Sequence, residues 1–162
     1  MSRCDFYLKE EILNRNNQQE VQRYWQEKER EIGEEIKGKD MSEYLSGYYG
    51  LPGRTWGLLY YTDTSFYFQT FPKKNWVTSL FRSGQNEYSG ESINFQIPWS
   101  SVKEIYYPPK KNVFLSILSP PDYRVFIKYQ LENQENTLVL IMYSRSNRED
   151  FLKCFKRFQH KI

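Results

Sequence analysis

A Pro-Lys-Lys-Asn tetrapeptide occurs twice in this sequence, at residues 72–75 and 109–112, each time next to aromatic residues. Lysine side chains attract anionic lipid headgroups, and aromatic rings favour the membrane–water interface. At about 1 kcal/mol per basic residue near such a surface, the repeat predicts weak, salt-sensitive binding to an anionic phospholipid membrane. The residues assigned to this contact are Lys73, Lys74, Trp76, Lys110 and Lys111.

The tetrapeptide also has a purely structural interpretation. Proline and asparagine are turn formers, and lysines beside strands discourage sheets from pairing edge to edge, so both copies also fit ordinary solvent-exposed turns. The two interpretations place different demands on the fold, because a membrane contact requires both turns to face the same side.

Basic and aromatic residues also interleave at residues 124–129, a pattern that can stack nucleic-acid bases. The same alternation is expected of any strand with one exposed face, here carrying Arg124 and Lys128, and one buried face. The net charge of the chain is only +3, so nucleic acid is not favoured as a partner. Fourteen tyrosines and four tryptophans fit a protein-binding surface better.

Catalytic and metal-binding patterns are not found in the sequence. His160 is the only histidine and follows a lysine-rich segment, which fits a surface position better than a catalytic one. Cys4 and Cys154 have neither Cys-x-x-Cys spacing nor a neighbouring histidine, so we expect two reduced thiols. The glycines within residues 47–53 lack the lysine and the following helix of a phosphate-binding loop. We therefore expect no enzyme activity, no metal and no cofactor.

Strand-forming residues dominate from residue 56 onwards, and turn-forming residues interrupt them at regular spacing. No helical pattern intervenes before the C-terminal segment, which predicts an antiparallel arrangement. Residues 44–49 are compatible with a preliminary strand. The seven predicted strands are 56–62, 65–71, 92–98, 102–107, 112–119, 124–131 and 137–143.

The last predicted element is an amphipathic helix over residues 146–162, whose apolar positions share one face. Ser146 and Glu149 have the spacing of a capping box, in which each side chain binds the backbone N–H of the other residue. Asp150 is expected to place negative charge in the first turn, where the helix dipole favours it.

Residues 1–40 are rich in polar helix formers and are predicted to form a helical extension of a domain at residues 41–162. The helix itself is predicted over residues 17–37, where Val21, Trp25, Ile32 and Ile36 form a narrow apolar stripe. This stripe is the predicted site for a protein partner or for self-association. The alternative is a solvated helix that rests on its own domain through a few side chains.

Three segments resemble the pleckstrin-homology-like (PH-like) barrel superfamily, in its GRAM and bacterial PH branches. Residues 57–68 read Gly-Leu-Leu-x-x-Thr-x-x-x-Phe-x-Phe and are similar to the opening hairpin of those domains. Residues 93–105 read Ile-x-Phe-x-Ile-Pro-Trp-x-x-Val-x-x-Ile and are similar to their next strand pair. The helix from Ser146 occupies the place of the helix that closes the open end of the barrel.

The resemblance implies a mainly β (α+β) fold: a seven-stranded antiparallel PH-like barrel capped by a C-terminal α-helix, with the N-terminal helix as an extension. It implies a non-catalytic binding module that attaches to anionic phospholipid headgroups through its basic loops. The alternative is a protein-binding adaptor that uses the barrel groove and the N-terminal helix. Neither a signal peptide nor an apolar run of about 18 residues is found, so we expect a cytoplasmic protein with peripheral membrane attachment.

Overall fold

A computed structural model describes residues 3–49, 53–70, 94–108 and 122–160. The chain divides into two compact units, residues 1–36 and 37–162. The first contains helix α1 (Arg3–Ile32) and the second contains a sheet and helix α2 (Arg145–His160). The strands are β1 (Gly38–Ser46), β2 (Thr55–Tyr61), β3 (Ser65–Thr70), β4 (Asn94–Pro98), β5 (Val102–Tyr106), β6 (Arg124–Leu131) and β7 (Gln134–Met142).

Helix α1 ends at a glycine. Gly33 has a left-handed backbone (φ 76°), and its N–H donates to the carbonyl of Glu29 at 2.9 Å. The Glu29 carboxylate then accepts the N–H of Ile36 at 3.0 Å, which fixes the exit of the chain. Glycine adopts this conformation without a Cβ penalty and commonly ends helices. The predicted helix over residues 17–37 is therefore wrong at both ends, because it placed Gly33 in the helix interior and omitted residues 3–16.

The seven strands form one antiparallel sheet in the order β4-β3-β2-β1-β7-β6-β5. Strand β1 lies at the centre and pairs with both β2 and β7, whereas β4 and β5 are the two edges of the sheet and do not pair with each other within the described ranges. The prediction of a mainly β fold with seven antiparallel strands and a helix at each end of the chain is thus confirmed. Predicted strand 112–119 lies outside the described residues.

The central strand β1 is the element that the sequence pattern predicted least well. Residues 38–40 were assigned to the helical extension, yet Gly38, Lys39 and Asp40 pair with β2. The preliminary strand predicted at 44–49 overlaps β1 only at its end. The error has a physical cause, since the strand begins with Gly-Lys-Asp and contains none of the β-branched residues that mark a strand.

Strand β7 also begins earlier than predicted, at Gln134 rather than at residue 137. A two-residue turn at Glu132 and Asn133 joins it to β6, and both turn residues have positive φ values of 50° and 64°. Positive φ at both central residues is the signature of the tight hairpin turn that matches strand twist. The polar residues 134–136 that suggested a loop are the exposed start of the strand.

The β2–β3 hairpin at residues 55–70 closes around Thr62, which is fully buried. Its hydroxyl accepts the backbone N–H groups of Thr64 and Ser65, both at 3.2 Å. Its carbonyl accepts the indole N–H of Trp99 at 3.0 Å and the thiol of Cys154 at 3.4 Å. One turn residue therefore joins the hairpin to the short 3-10 helix after β4 and to α2.

Helix α2 buries Phe151, Cys154 and Phe155 against the sheet. The ring of Phe151 lies 5.3 Å from those of Tyr61 and Trp99 and 5.5 Å from that of Phe66. Rings at these distances and steep angles match the preferred edge-to-face geometry. The predicted apolar face of the C-terminal helix thus packs on the core.

The predicted capping of α2 is wrong. The helix begins at Arg145, and the hydroxyl of Ser144 accepts the N–H of Asn147 at 3.3 Å, so Ser144 takes the cap position. Glu149 accepts instead from the side chain of Arg145 at 2.9 Å. Asp150 lies beyond the first turn and accepts from Lys153 at 2.9 Å. The earlier start of the helix shifts every capping assignment.

Candidate functional site

The residues predicted to contact a membrane, Lys73, Lys74, Trp76, Lys110 and Lys111, lie outside the described part of the chain. The structure therefore does not place the two tetrapeptides relative to each other, and the membrane contact stays a prediction.

The predicted stripe on α1 lies within the part of the chain that the structure describes. Val21, Trp25 and Ile32 are all half-buried, as are Tyr24 and Lys28, which share the same helical spacing. The rings of Tyr24 and Trp25 meet edge to face at 5.1 Å, and the Lys28 ammonium donates to Glu31 at 2.8 Å. Burial raises the pKa of Tyr24 above its ordinary value, and the charge of Glu31 adds to that effect. These residues form one face of the helix, and its role in binding a partner stays a prediction.

The alternating segment at residues 124–129 forms an aromatic ladder on the outer face of β5 and β6. Tyr106 and Phe126 stack with their ring centroids 5.0 Å apart. Arg124 lies over Phe126 at 5.6 Å and Lys128 lies over Tyr106 at 5.3 Å. Each cation is also paired with a carboxylate, since Arg124 contacts Asp122 at 2.6 Å and Lys128 contacts Glu104 at 2.9 Å.

A second outer cluster, here called the tyrosine–arginine patch, forms around a buried carboxylate. Glu43 lies on β1, opposite Trp56 of β2 and Ile141 of β7, on the face away from the core. Its side chain is only 3% exposed. One carboxylate oxygen accepts from Arg54 Nε at 2.7 Å and the other accepts from the Tyr143 hydroxyl at 3.2 Å. The patch comprises Glu43, Arg54, Trp56, Tyr107, Tyr123, Tyr143 and Arg148.

Arg54 reaches Glu43 from a strained backbone. Its φ of 57° lies in the left-handed region, which is costly for a residue with a Cβ atom. The side chain is 75% exposed while its Nε bonds the buried carboxylate. The charged hydrogen bond compensates part of this strain and also satisfies the carboxylate, which would otherwise be costly to bury.

Three rings of the patch contact one another in a row. Trp56 and Tyr143 stack nearly parallel at 5.4 Å, and Tyr143 also contacts Tyr123, with the two rings tilted and 5.3 Å apart. Tyr143 is 44% exposed, and within the described residues only Tyr49 is a more exposed large hydrophobic side chain. Partial burial raises the pKa of the Tyr143 hydroxyl above its ordinary value, and the neighbouring Glu43 charge adds to that effect.

Arg148 of α2 completes the patch. Its guanidinium lies over the rings of Tyr123 at 5.4 Å and Tyr107 at 5.9 Å. The hydroxyl of Tyr107 donates to the Arg148 carbonyl at 2.8 Å, and burial raises the pKa of that hydroxyl to about 12. The Nε atom of Arg148 is buried and has no hydrogen-bond partner among the described residues.

Sequence inspection did not find this patch. Its members are spread over more than 100 residues, from Glu43 to Arg148, and they meet only because β1 pairs with both β2 and β7. One local signal was available. Trp56 occupies the outward-facing parity of its strand, where a polar residue is the ordinary choice.

Residues 3–49, 53–70, 94–108 and 122–160 contain neither a metal-binding cluster nor a membrane-spanning helix. No group of three or more histidine, cysteine, aspartate or glutamate side chains there has the geometry to hold a metal ion. No helix in those ranges is both long and apolar enough to span a bilayer.

Comparison with known proteins finds structural similarity but no sequence relative. No family model and no curated protein matches the sequence. Among solved structures, the chain is similar to the crystal structure of the C-terminal domain of an unknown protein from Leishmania infantum. The TM-score is 0.51 at 13% sequence identity, over 86% of this chain and 98% of that chain. At this identity the match bears on the fold alone.

Proposed function

We propose that this protein is a non-catalytic binding module with a partly open PH-like barrel architecture, and that it binds a protein partner through the tyrosine–arginine patch. Three features of the fold support the architecture. Within the described residues seven antiparallel strands form one sheet, β4 and β5 are its edges, and α2 buries its apolar face on the core. The sequence resemblance to GRAM and bacterial PH domains agrees with this arrangement.

The composition of the patch carries the functional proposal. Tryptophan, tyrosine and arginine are the residues most often responsible for binding energy at protein interfaces. Here Trp56 lies in β2, Arg148 lies in α2, and the tyrosines and the other arginine directly adjoin the ends of strands. Tyr143 is held by Trp56, by Tyr123 and by a hydrogen bond to Glu43. Rings fixed in this way lose little conformational entropy when a partner covers them.

Photo-crosslinking tests the proposal. A benzophenone amino acid at position 143 of the full chain, in cells of the source organism, is expected to capture a defined protein. The same amino acid at position 126 is the matched control, because Phe126 is also an outer-face ring in a stacked pair. The captured protein should be lost when Trp56→Ala is added. Equal capture at the two positions, or none at position 143, would refute the proposal.

Attachment to anionic lipid is the second candidate, and helix α2 favours it. Lys153, Lys156 and Arg157 are exposed and are spaced to lie on one helical face, although Lys153 also pairs with Asp150. Changing Lys73, Lys74, Lys110 and Lys111 together to Glu should abolish sedimentation with anionic vesicles at low salt. Unchanged sedimentation would exclude the loop contact, and Lys156→Glu with Arg157→Glu then tests the helix.

The N-terminal helix supplies a separate test of partner binding. Deletion must stop at residue 36, because β1 begins at Gly38 and pairs with two strands. If the stripe at Val21, Trp25 and Ile32 binds a partner or a second copy, the truncated protein should lose that association while the sheet stays folded. Trp25→Ala in the full chain should give the same result.

A further inference from the structure

The tyrosine–arginine patch presents basic groups to solvent and keeps its carboxylate inside. Arg54 is 75% exposed, whereas the Glu43 side chain that it contacts is 3% exposed. The surrounding unit has the same sign, since residues 37–162 contain 17 lysines and arginines against 11 acidic residues, a net charge of +6. A partner approaching this unit therefore meets a net positive charge, and at the patch it meets the exposed Arg54 guanidinium and the aromatic rings.

Arg148 differs from the cations of the aromatic ladder. Arg124 and Lys128 each have a carboxylate within 3 Å as well as a ring. Arg148 is held by two tyrosine rings, forms no ion pair with a described residue, and has a buried Nε without a hydrogen-bond acceptor. A guanidinium held by rings keeps its capacity for carboxylates, which arginine binds with paired, charge-assisted hydrogen bonds.

We infer that the patch recognises an acidic segment of a protein partner. This inference rests on the proposed function and adds the chemistry of the ligand. Carboxylates of the segment pair with the guanidinium group of Arg148, and an apolar or aromatic side chain of the segment covers Tyr143 and Trp56. A basic segment would be repelled by the net positive charge, and a wholly apolar one would desolvate that guanidinium group without compensation.

A titration with synthetic polymers tests the charge preference. The full chain is titrated into a fluorescent glutamate–tyrosine copolymer and, separately, into a lysine–tyrosine copolymer, with binding followed by fluorescence anisotropy. The acidic copolymer should bind at least about tenfold more tightly, equivalent to 1.4 kcal/mol, and its affinity should fall as salt is added. Equal affinity for the two copolymers, or no binding of the acidic one, would refute the inference.

Variants separate the patch from the general positive charge. Tyr143→Ala should weaken binding of the acidic copolymer by roughly tenfold, the size of a moderate interface residue. Phe126→Ala, the matched ring of the ladder, should leave the affinity unchanged. An equal effect of both variants would mean that the copolymer senses only net charge, and the inference would fail. The inference would also fail if the protein bound phosphatidylserine vesicles and not the acidic copolymer, and if Tyr143→Ala weakened that binding to the vesicles.

The two levels of the proposal fail separately. If position 143 crosslinks a defined protein but the copolymers are not distinguished, the patch is a protein-binding site without acidic specificity. If position 143 captures nothing, the proposed function itself fails.

Discussion

Two clusters of aromatic rings in this protein have similar composition and opposite surroundings. The inner ring cluster, Tyr61, Phe66, Trp99, Phe151 and Phe155, is buried beneath α2. The tyrosine–arginine patch extends from Glu43 and Trp56 on the outer face of the sheet to the strand ends at Tyr107, Tyr123 and Tyr143, where Tyr107 also packs against the core. Polar atoms distinguish them, because the Trp99 N–H bonds a backbone carbonyl whereas the Tyr143 hydroxyl bonds a carboxylate that also binds arginine. The difference shows that position, and not residue type, separates a buried core from a half-exposed cluster of rings.

The largest expected loss of stability follows from a substitution in the inner ring cluster. Phe151→Ala removes a fully buried ring that contacts three others, and it should lower the free energy of unfolding by roughly 3 to 5 kcal/mol. Urea denaturation at constant m-value measures this loss. Phe158→Ala on the same helix is the control, since Phe158 is only half-buried and should cost clearly less. Equal losses would contradict the packing of α2 described here.

The second-largest loss of stability is expected at alkaline pH and involves the inner ring cluster. Burial raises the pKa of Tyr61 from 10.0 to about 12, with smaller contributions from nearby groups. The folded state thus favours the neutral phenol. The contribution of Tyr61 to the free energy of unfolding is therefore fully present below pH 10 and is lost as the pH rises towards 12. The loss should reach about 2 to 3 kcal/mol for this group. Urea denaturation between pH 9 and 12, for the wild type and Tyr61→Phe, measures it; identical pH profiles would exclude the assignment.

A smaller effect is expected at Thr62, which ties the hairpin to the inner cluster. Thr62→Val keeps the shape but removes the hydroxyl that accepts two backbone N–H groups. The protein should lose about 2 kcal/mol, because the buried N–H of Ser65 is left without its side-chain acceptor. Thr62→Ser retains the hydroxyl and should lose less than half as much in the same denaturation assay. A larger loss for Thr62→Ser would show that the methyl group, not the hydrogen bond, matters.

Much of the inner cluster could be predicted from sequence. Phe66, Phe151 and Phe155 belong to strong local patterns, an alternating strand and an amphipathic helix, and local patterns are what sequence periodicity reports. The 124–131 strand was predicted with its observed bounds, and its two faces follow the predicted alternation. The described residues form seven strands, one of which is β1, and the predicted strand at 112–119 lies outside them.

The patch could not be predicted in the same way. Glu43 is a charged residue in a polar segment, and its burial depends on Arg54 and Tyr143, which are 11 and 100 residues away. Such a site follows from strand order, and strand order depended on β1, whose sequence has weak strand character. The capping error has a similar origin, because a start displaced to Arg145 changed which serine caps the helix.

The smallest stability effect is expected from Tyr143→Ala, and it sharpens the contrast with Phe151→Ala most directly. The ring is 44% exposed and leaves Glu43 its bond to Arg54, so the free energy of unfolding should fall by less than about 1 kcal/mol. Tyr143→Phe, which keeps the stack on Trp56, should change it even less. Urea denaturation of both variants supplies the measurement. A loss as large as that of Phe151→Ala would mean that the outer rings are a second core, and the patch could then no longer be regarded as a surface kept free for a partner.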